Sequence, residues 1–231
     1  MINLNEHDLY KLINTRKDIV INSQLYKYIN KGGQGVVFKI NNDEVIKVFF
    51  KKLDSLQMIE IVCLKMCKKA LDNNLTFNLI KFNYNFIIKD KLVISMEYCD
   101  YDLDKWLLTP KDDIEWLSMI FQICNGIFIL NKKLKIKHND LKPQNILCKN
   151  LKKMKVVKYK IYDKEYYVPV FTVFKITDFG HSENKECKDL SDLEHISILN
   201  NRAKVEKLIN MYSKDELYNI AIKVSNFKKY F

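Results

Sequence analysis

The chain has 231 residues, with 39 Lys+Arg against 28 Asp+Glu and a formal net charge of +11. At about 150 residues per domain this is one domain of two lobes or two small domains; 48% hydrophobic and 29% charged residues exclude a disordered chain, and 5 Gly with 3 Pro exclude a fibrous or linker-rich one. Only Arg16 and Arg202 are arginines, so the charge is lysine, which lacks the planar fork that reads base edges, and nucleic acid is not an expected partner.

Taken in chain order, residues 1–20 form an amphipathic lead-in, mixed enough in charge that no signal peptide is expected. Strands are expected at 25–29, 36–40 and 44–50. The loop between the first two, 30–35, holds three of the five glycines, and Asn41-Asn42-Asp43 is a turn signal. Leu53, Leu56, Glu60, Leu64, Cys67 and Leu71 follow at steps of three and four, which predicts a helix over 53–71 with one apolar face. Glu60 is the exception on that face, and a carboxylate there needs a cationic partner. Two more strands, 84–89 and 91–97, turn at Asp90. The first part is thus a five-stranded antiparallel sheet with one helix.

After Tyr98 the pattern becomes helical, with a short helix at 103–108 and a helix at 114–132 that is apolar nearly all round. Glu115, Gln122 and Asn125 interrupt the second, so it falls short of the roughly 18 uninterrupted apolar residues of a membrane span, and no membrane association is expected. A lysine-rich β stretch runs on to Thr177, with a hairpin turning near Asp163 and Lys164, and residues 189–231 read as helical. The expected division is 1–97 and 98–231. Cys63, Cys67, Cys99, Cys124, Cys148 and Cys187 form no C-x-x-C pair, which points to free thiols in a reducing, cytoplasmic setting rather than to zinc or a disulfide framework.

Between residues 30 and 180 several motifs, each weak alone, fall in one order on fitting elements. They are Asn30-Lys31-Gly32-Gly33-Gln34-Gly35-Val36-Val37; Glu44-Val45-Ile46-Lys47; Glu60 on its helix; Met96-Glu97-Tyr98-Cys99; His138-Asn139-Asp140-Leu141-Lys142-Pro143-Gln144-Asn145; and Asp178-Phe179-Gly180. In this set the chain resembles the eukaryotic-type protein kinases, over about residues 25–180. The Asp-Leu-Lys-Pro-x-Asn form of the loop is similar to Ser/Thr kinases. Lys142 and Pro143 set the chain apart from small-molecule kinases, the weaker alternative, and a catalytically weak kinase-fold interaction module or decoy is the other.

The resemblance implies an α+β, bilobal fold with a shortened, mainly helical second lobe, and ATP and Mg²⁺ as cofactors. It implies that the backbone of Asn30, Gly32, Gly33 and Gly35 covers the phosphates of ATP, and that Lys47, held by Glu60, binds them. Val37, Val45 and Leu147 enclose the adenine, beside Met96, and the backbone of Glu97 to Cys99 hydrogen-bonds it. Asn145 and Asp178 hold the metal, Asp140 takes the proton of the substrate hydroxyl, and Lys142 neutralises the transferring group.

Three departures matter. Asn139 stands where many family members carry an arginine that receives an activation-loop phosphate, and an amide cannot neutralise a dianion, so control by such phosphorylation is not expected. Asn145 and Asp178 are widely spaced, and the added segment carries Lys149, Lys152, Lys153, Lys155, Lys158 and Lys160; it reads as a solvated hairpin, or as a docking surface for an acidic partner at 149–160. Few residues follow Gly180 and no A-P-E motif is visible, with Asp192 a weak match to the aspartate that supports the catalytic loop. His181 and His195 are expected to be structural. Such a reduced kinase of A/T-biased composition resembles those encoded by large DNA viruses, which would place it in the host cytoplasm or the virion. The expected partners are ATP and a protein substrate, and the expected state is a monomer.

Overall fold

The computed structural model describes residues 2, 4–161 and 164–184. The predicted helical stretch 189–231, with Asp192 and His195, and Cys187, lie outside the described residues. The chain divides into two compact units, residues 1–68 with 81–98, and residues 69–80 with 99–231.

In the first unit, α1 (Glu6–Asn14) starts at a reciprocal cap: Asn5 Oδ1 accepts the Asp8 N–H at 2.9 Å, and the Asp8 carboxylate accepts the Asn5 N–H at 3.1 Å. The strands are β1 (Ile19–Ile21), β2 (Gln24–Lys31), β3 (Gly35–Lys39), β4 (Glu44–Lys52), β5 (Phe82–Ile88) and β6 (Lys91–Glu97). They form one antiparallel sheet of order β1-β2-β3-β4-β6-β5. The five expected strands are all present. A sixth, β1, is added at one edge from residues read as lead-in, because the tight turn at Asn22 and Ser23 (φ 49° and 64°) folds 19–21 back onto β2.

Period-2 alternation gives this sheet two faces. On one, Val36, Phe38, Ile46, Val48 and Val93 join Leu9 and Leu12 of α1 in a buried core. The opposite face carries Val37, Val45, Lys47, Ile94 and Met96. The register sets Val37 against Lys47, Val45 against Met96 and Lys47 against Ile94. The helix α2 (Ser55–Asp72) begins two residues later than expected, because Asp54 caps it: its Oδ1 accepts the Gln57 N–H at 2.9 Å. Gln57, Glu60, Ile61, Leu64 and Cys67 are buried, whereas Leu56, expected on the buried face, is 46% exposed.

The second unit contains β7 (Tyr101–Asp102), α3 (Leu103–Leu107), α4 (Asp113–Phe128), β8 (Ile136–Lys137), β9 (Ile146–Ile161), β10 (Lys164–Ile176) and β11 (Glu183–Asn184). The strands form a β10-β9-β7 sheet and a β11-β8 pair. Asp112 caps α4 and makes a capping box with Glu115. A five-residue π turn, Ile129–Lys133, prolongs it. By length and composition alone Ile114–Lys133, of mean hydropathy 1.3, is long and apolar enough to cross a membrane, the interruptions at Glu115, Gln122 and Asn125 notwithstanding. The helix is 76% buried inside the fold, so its apolar surface belongs to a core. Gly126 lets it approach closely, since a Cβ there would lie 3.1 Å from the Asn78 carbonyl oxygen. Its buried Gln122 is bonded internally: Oε1 accepts from Asn78 Nδ2 at 3.0 Å and from the Phe174 N–H at 3.1 Å, and Nε2 donates to the Thr172 carbonyl at 3.0 Å.

Candidate catalytic site

In the first unit the central pair is Lys47 and Glu60. Lys47 lies in the middle of β4, and its Nζ is 2.8 Å from Glu60 Oε1 on α2. The side chains are 13% and 2% exposed. This is the cation that Glu60 demanded from the sequence, and a pair this buried is strongly destabilised by removing either member. Val37, Val45 and Met96 share the Lys47 face, so the register brings four of the expected residues together.

The glycine segment divides into two kinds of position. At Gly35 a Cβ would lie 2.5 Å from the Val48 carbonyl oxygen, so this glycine is required by the contact of β3 with β4. At Gly33 a Cβ would meet nothing within 4 Å, and at Gly32 the nearest atom is the Gly35 carbonyl oxygen at 4.0 Å. Open space lies over these two. Asn30, at the first position of the motif, is exposed in β2, and its Oδ1 accepts the Lys31 N–H at 2.7 Å. Along 97–98 two donors are committed: the Glu97 N–H to the Lys81 carbonyl (3.0 Å) and the Tyr98 N–H to the Asp43 carbonyl (2.9 Å). The expected adenine contacts from Glu97 to Cys99 are narrowed accordingly.

In the second unit the other residues converge through backbone and side-chain bonds. Asn131 Nδ2, in the middle of the π turn, donates to the Ile136 carbonyl at 2.8 Å and fixes β8. β8 pairs with β11 and so holds the chain on both sides of 138–182. His138 is fully buried, with Nε2 2.8 Å from the Thr177 carbonyl and Nδ1 3.3 Å from the Asp140 N–H. That pairing needs the proton on Nε2 and a neutral ring. The ring packs on Phe179, with centroids 5.2 Å apart. The Thr177 N–H donates to the Asn145 carbonyl at 3.0 Å.

Around Asp140 the polar groups are shared unequally. Its Oδ2 accepts from Lys142 Nζ at 2.7 Å and from Asn145 Nδ2 at 3.1 Å. Asn145 Nδ2 also donates to the Asp140 carbonyl at 2.8 Å. Among the described residues Asp140 Oδ1 accepts no hydrogen bond, and neither does Asn145 Oδ1. Asp140 and Lys142 side chains are 30% and 44% exposed, so the pair faces solvent. Asn139 (φ 63°) and Asp178 (φ 65°) both sit in the left-handed region, costly for a side chain other than glycine and concentrated at functional sites. Leu147 follows in β9, half-buried, paired with Asp102 and Lys175.

The residues read as metal ligands fit a hard cation that brings its own partners. Asp178 and Asn145 offer one carboxylate and one amide oxygen. No group of three or more His, Cys, Asp or Glu that could hold a metal occurs among the described residues. That set suits Mg²⁺, which keeps waters and phosphate oxygens beside one or two protein ligands.

Sequence reasoning missed the bond from Asn139 Nδ2 to the His181 carbonyl at 3.1 Å, which joins the loop to the chain after Gly180. It also missed Asn131. The Asn139 partner lies 42 residues on, and the Asn131 amide reaches a main-chain carbonyl that any residue at 136 would supply, so neither bond leaves a local signal. Burial, then the nearby Glu60 charge, pushes the Cys63 thiol up to about 11, and burial raises Cys67 and Cys148 as well, which disfavours their thiolates.

The protein kinase domain family matches residues 23–198. Among curated proteins, a probable cyclin-dependent serine/threonine-protein kinase of Dictyostelium discoideum is 33% identical over 131 residues, which cover 54% of this chain and 9% of that relative.

Proposed function

The chain belongs to the protein kinase domain family, and on that premise we propose that it transfers the γ-phosphoryl group of ATP to Ser or Thr hydroxyls of a protein substrate. The observation that carries the reading is the division of the Asp140 carboxylate. One oxygen is held by Lys142 and Asn145, while the other has no bond among the described residues. A carboxylate anchored through one oxygen is oriented, and its second oxygen can accept the proton of an incoming hydroxyl. Lys142, already beside it, would neutralise charge on the transferring group. The serine/threonine class follows the likeness to the Dictyostelium kinase and the Asp-Leu-Lys-Pro-x-Asn loop.

Lys47, fixed by Glu60, would hold the phosphates of ATP, under the backbone of Gly32 and Gly33, where a ligand meets open space. Asn145 Oδ1 and the Asp178 carboxylate would hold Mg²⁺, which when bound neutralises phosphate charge during transfer. Val37, Val45 and Met96, on one sheet face, would line the adenine. A cytoplasmic setting belongs to the same proposal and rests on the free thiols of Cys63, Cys67, Cys99, Cys124 and Cys148.

The test is transfer of labelled γ-phosphate from ATP to a generic Ser/Thr protein substrate, by wild type and by Asp140→Asn, with phosphoamino-acid analysis of the product. We expect wild-type incorporation on Ser or Thr and a loss of at least about a hundredfold in Asp140→Asn, the scale of a positioned general base. Equal rates overturn the assignment of Asp140. A wild type that binds ATP and transfers nothing supports the interaction-module reading instead.

A further inference from the structure

The hairpin of β9 and β10 is far longer than the chemistry above requires. β7 pairs with β9 only at Leu147 and Cys148, and the Asp100 carboxylate accepts the Asn150 N–H at 2.8 Å. β9 pairs with β10 from Ile146 to Asn150 and again from Lys155, with a register shift between, and from Lys155 to Lys160 the side of β9 turned away from β10 has no strand partner among the described residues. Alternate residues of an antiparallel strand turn both N–H and C=O to one side, so this is an open edge. The platform behind it is firm. Tyr159 and Tyr166, a cross-strand pair, pack on Phe121 of α4 with ring centroids 5.1 and 5.8 Å away.

Lys152, Lys153, Lys155, Lys158 and Lys160 are all exposed along that strand. Glu165 is the one described carboxylate of the hairpin, and it pairs with Lys158 at 2.6 Å. Lys152, Lys153, Lys155 and Lys160 make no ion pair among the described residues. Blunting an edge against aggregation needs only a charge or two, a proline or a short strand; here five exposed lysines stand along the strand and one of them, Lys158, has a carboxylate partner.

We propose that the free edge of β9 is a docking strand for an extended acidic segment of a partner protein. The segment adds to the sheet through main-chain hydrogen bonds and sets alternate carboxylates against the lysines. Lys158 and Lys160, on one face, are about 6.6 Å apart along the strand, which is the repeat of alternate side chains on any added strand. A carboxylate partner is favoured over single-stranded nucleic acid because the face lacks a stacking platform. Its one described aromatic residue, Tyr167, is half-buried and donates to Glu165 at 3.3 Å.

The probe is a fluorescein-labelled heptapeptide of alternating Glu and Val, titrated by anisotropy with the whole protein. The comparators are the same peptide N-methylated at alternate residues and an oligothymidylate. The variant is the K152Q/K153Q/K158Q/K160Q combination, with its melting temperature checked against wild type. We expect the Glu/Val peptide to bind, added salt to weaken it, the variant to weaken it by about tenfold or more, and N-methylation to abolish it. The proposal is overturned if the variant binds like wild type, if the N-methylated peptide binds equally, if the oligothymidylate binds more tightly, or if no peptide binds.

Discussion

Two glycines in the same motif are there for different reasons, and substitution separates them. At Gly35 a methyl group would press on the Val48 carbonyl at 2.5 Å, so β3 and β4 must part. Gly35→Ala is expected to cost about 1–3 kcal/mol, read as a lower melting temperature in differential scanning fluorimetry. At Gly33 the same methyl group meets nothing, so Gly33→Ala should leave the melting temperature unchanged and raise KM for ATP if its backbone approaches the phosphates. A Gly33→Ala protein with unaltered KM removes Gly33 from the nucleotide site. The sequence showed the glycines as a cluster. It could not rank them, because the atom that makes Gly35 obligatory is a carbonyl on the next strand. The same holds at Asp140. The motif names the residue, but the sharing of its two oxygens is decided by where Lys142 and Asn145 turn their nitrogens.

At the scale of elements, α1 acts as a lid on the sheet face opposite Lys47. Leu9 and Leu12 are 1% and 0% exposed and lie in the cluster with Val36, Phe38, Ile46 and Val48. Leu12→Ala should therefore cost about 2–5 kcal/mol, measured as a shift in the urea midpoint, whereas truncating the exposed Tyr10 on the same helix should cost little. Five strands of this unit were legible as short runs rich in β-branched and aromatic residues, set off by turn signals at the glycine loop, Asn41 to Asp43 and Asp90. Helix α2 was legible as a helix and in most of its buried face, since Glu60, Leu64 and Cys67 are buried as expected. At its start a period of 3.6 lets residue 56 or 57 join that face, and it is Gln57, with its N–H on the Asp54 carboxylate, that is buried while Leu56 lies outward. The strand β1 left no signal beyond three β-branched residues, since its pairing depends on the left-handed turn at Asn22 and Ser23.

For the whole molecule, regulation is the property that the site leaves open to experiment. Asn139, in place of a phosphate-receiving arginine, uses its amide to hold the His181 carbonyl, a neutral bond made without any phosphate. Phosphatase treatment is therefore expected to leave the transfer rate unchanged; a treated protein that loses activity contradicts the reading of Asn139. By itself the sequence determined the order of the catalytic motifs, the sheet-bearing first part and the demand of Glu60 for a cation. These are carried by residue type, spacing and local period. Only the tertiary structure decided which oxygen of Asp140 is left open, which glycine is structural, that α2 buries Gln57 rather than Leu56, and that lysines of β9 stand on an unpaired edge. Each of those depends on atoms distant in the chain, and hydrogen-bond direction and close contact leave no trace in local sequence pattern.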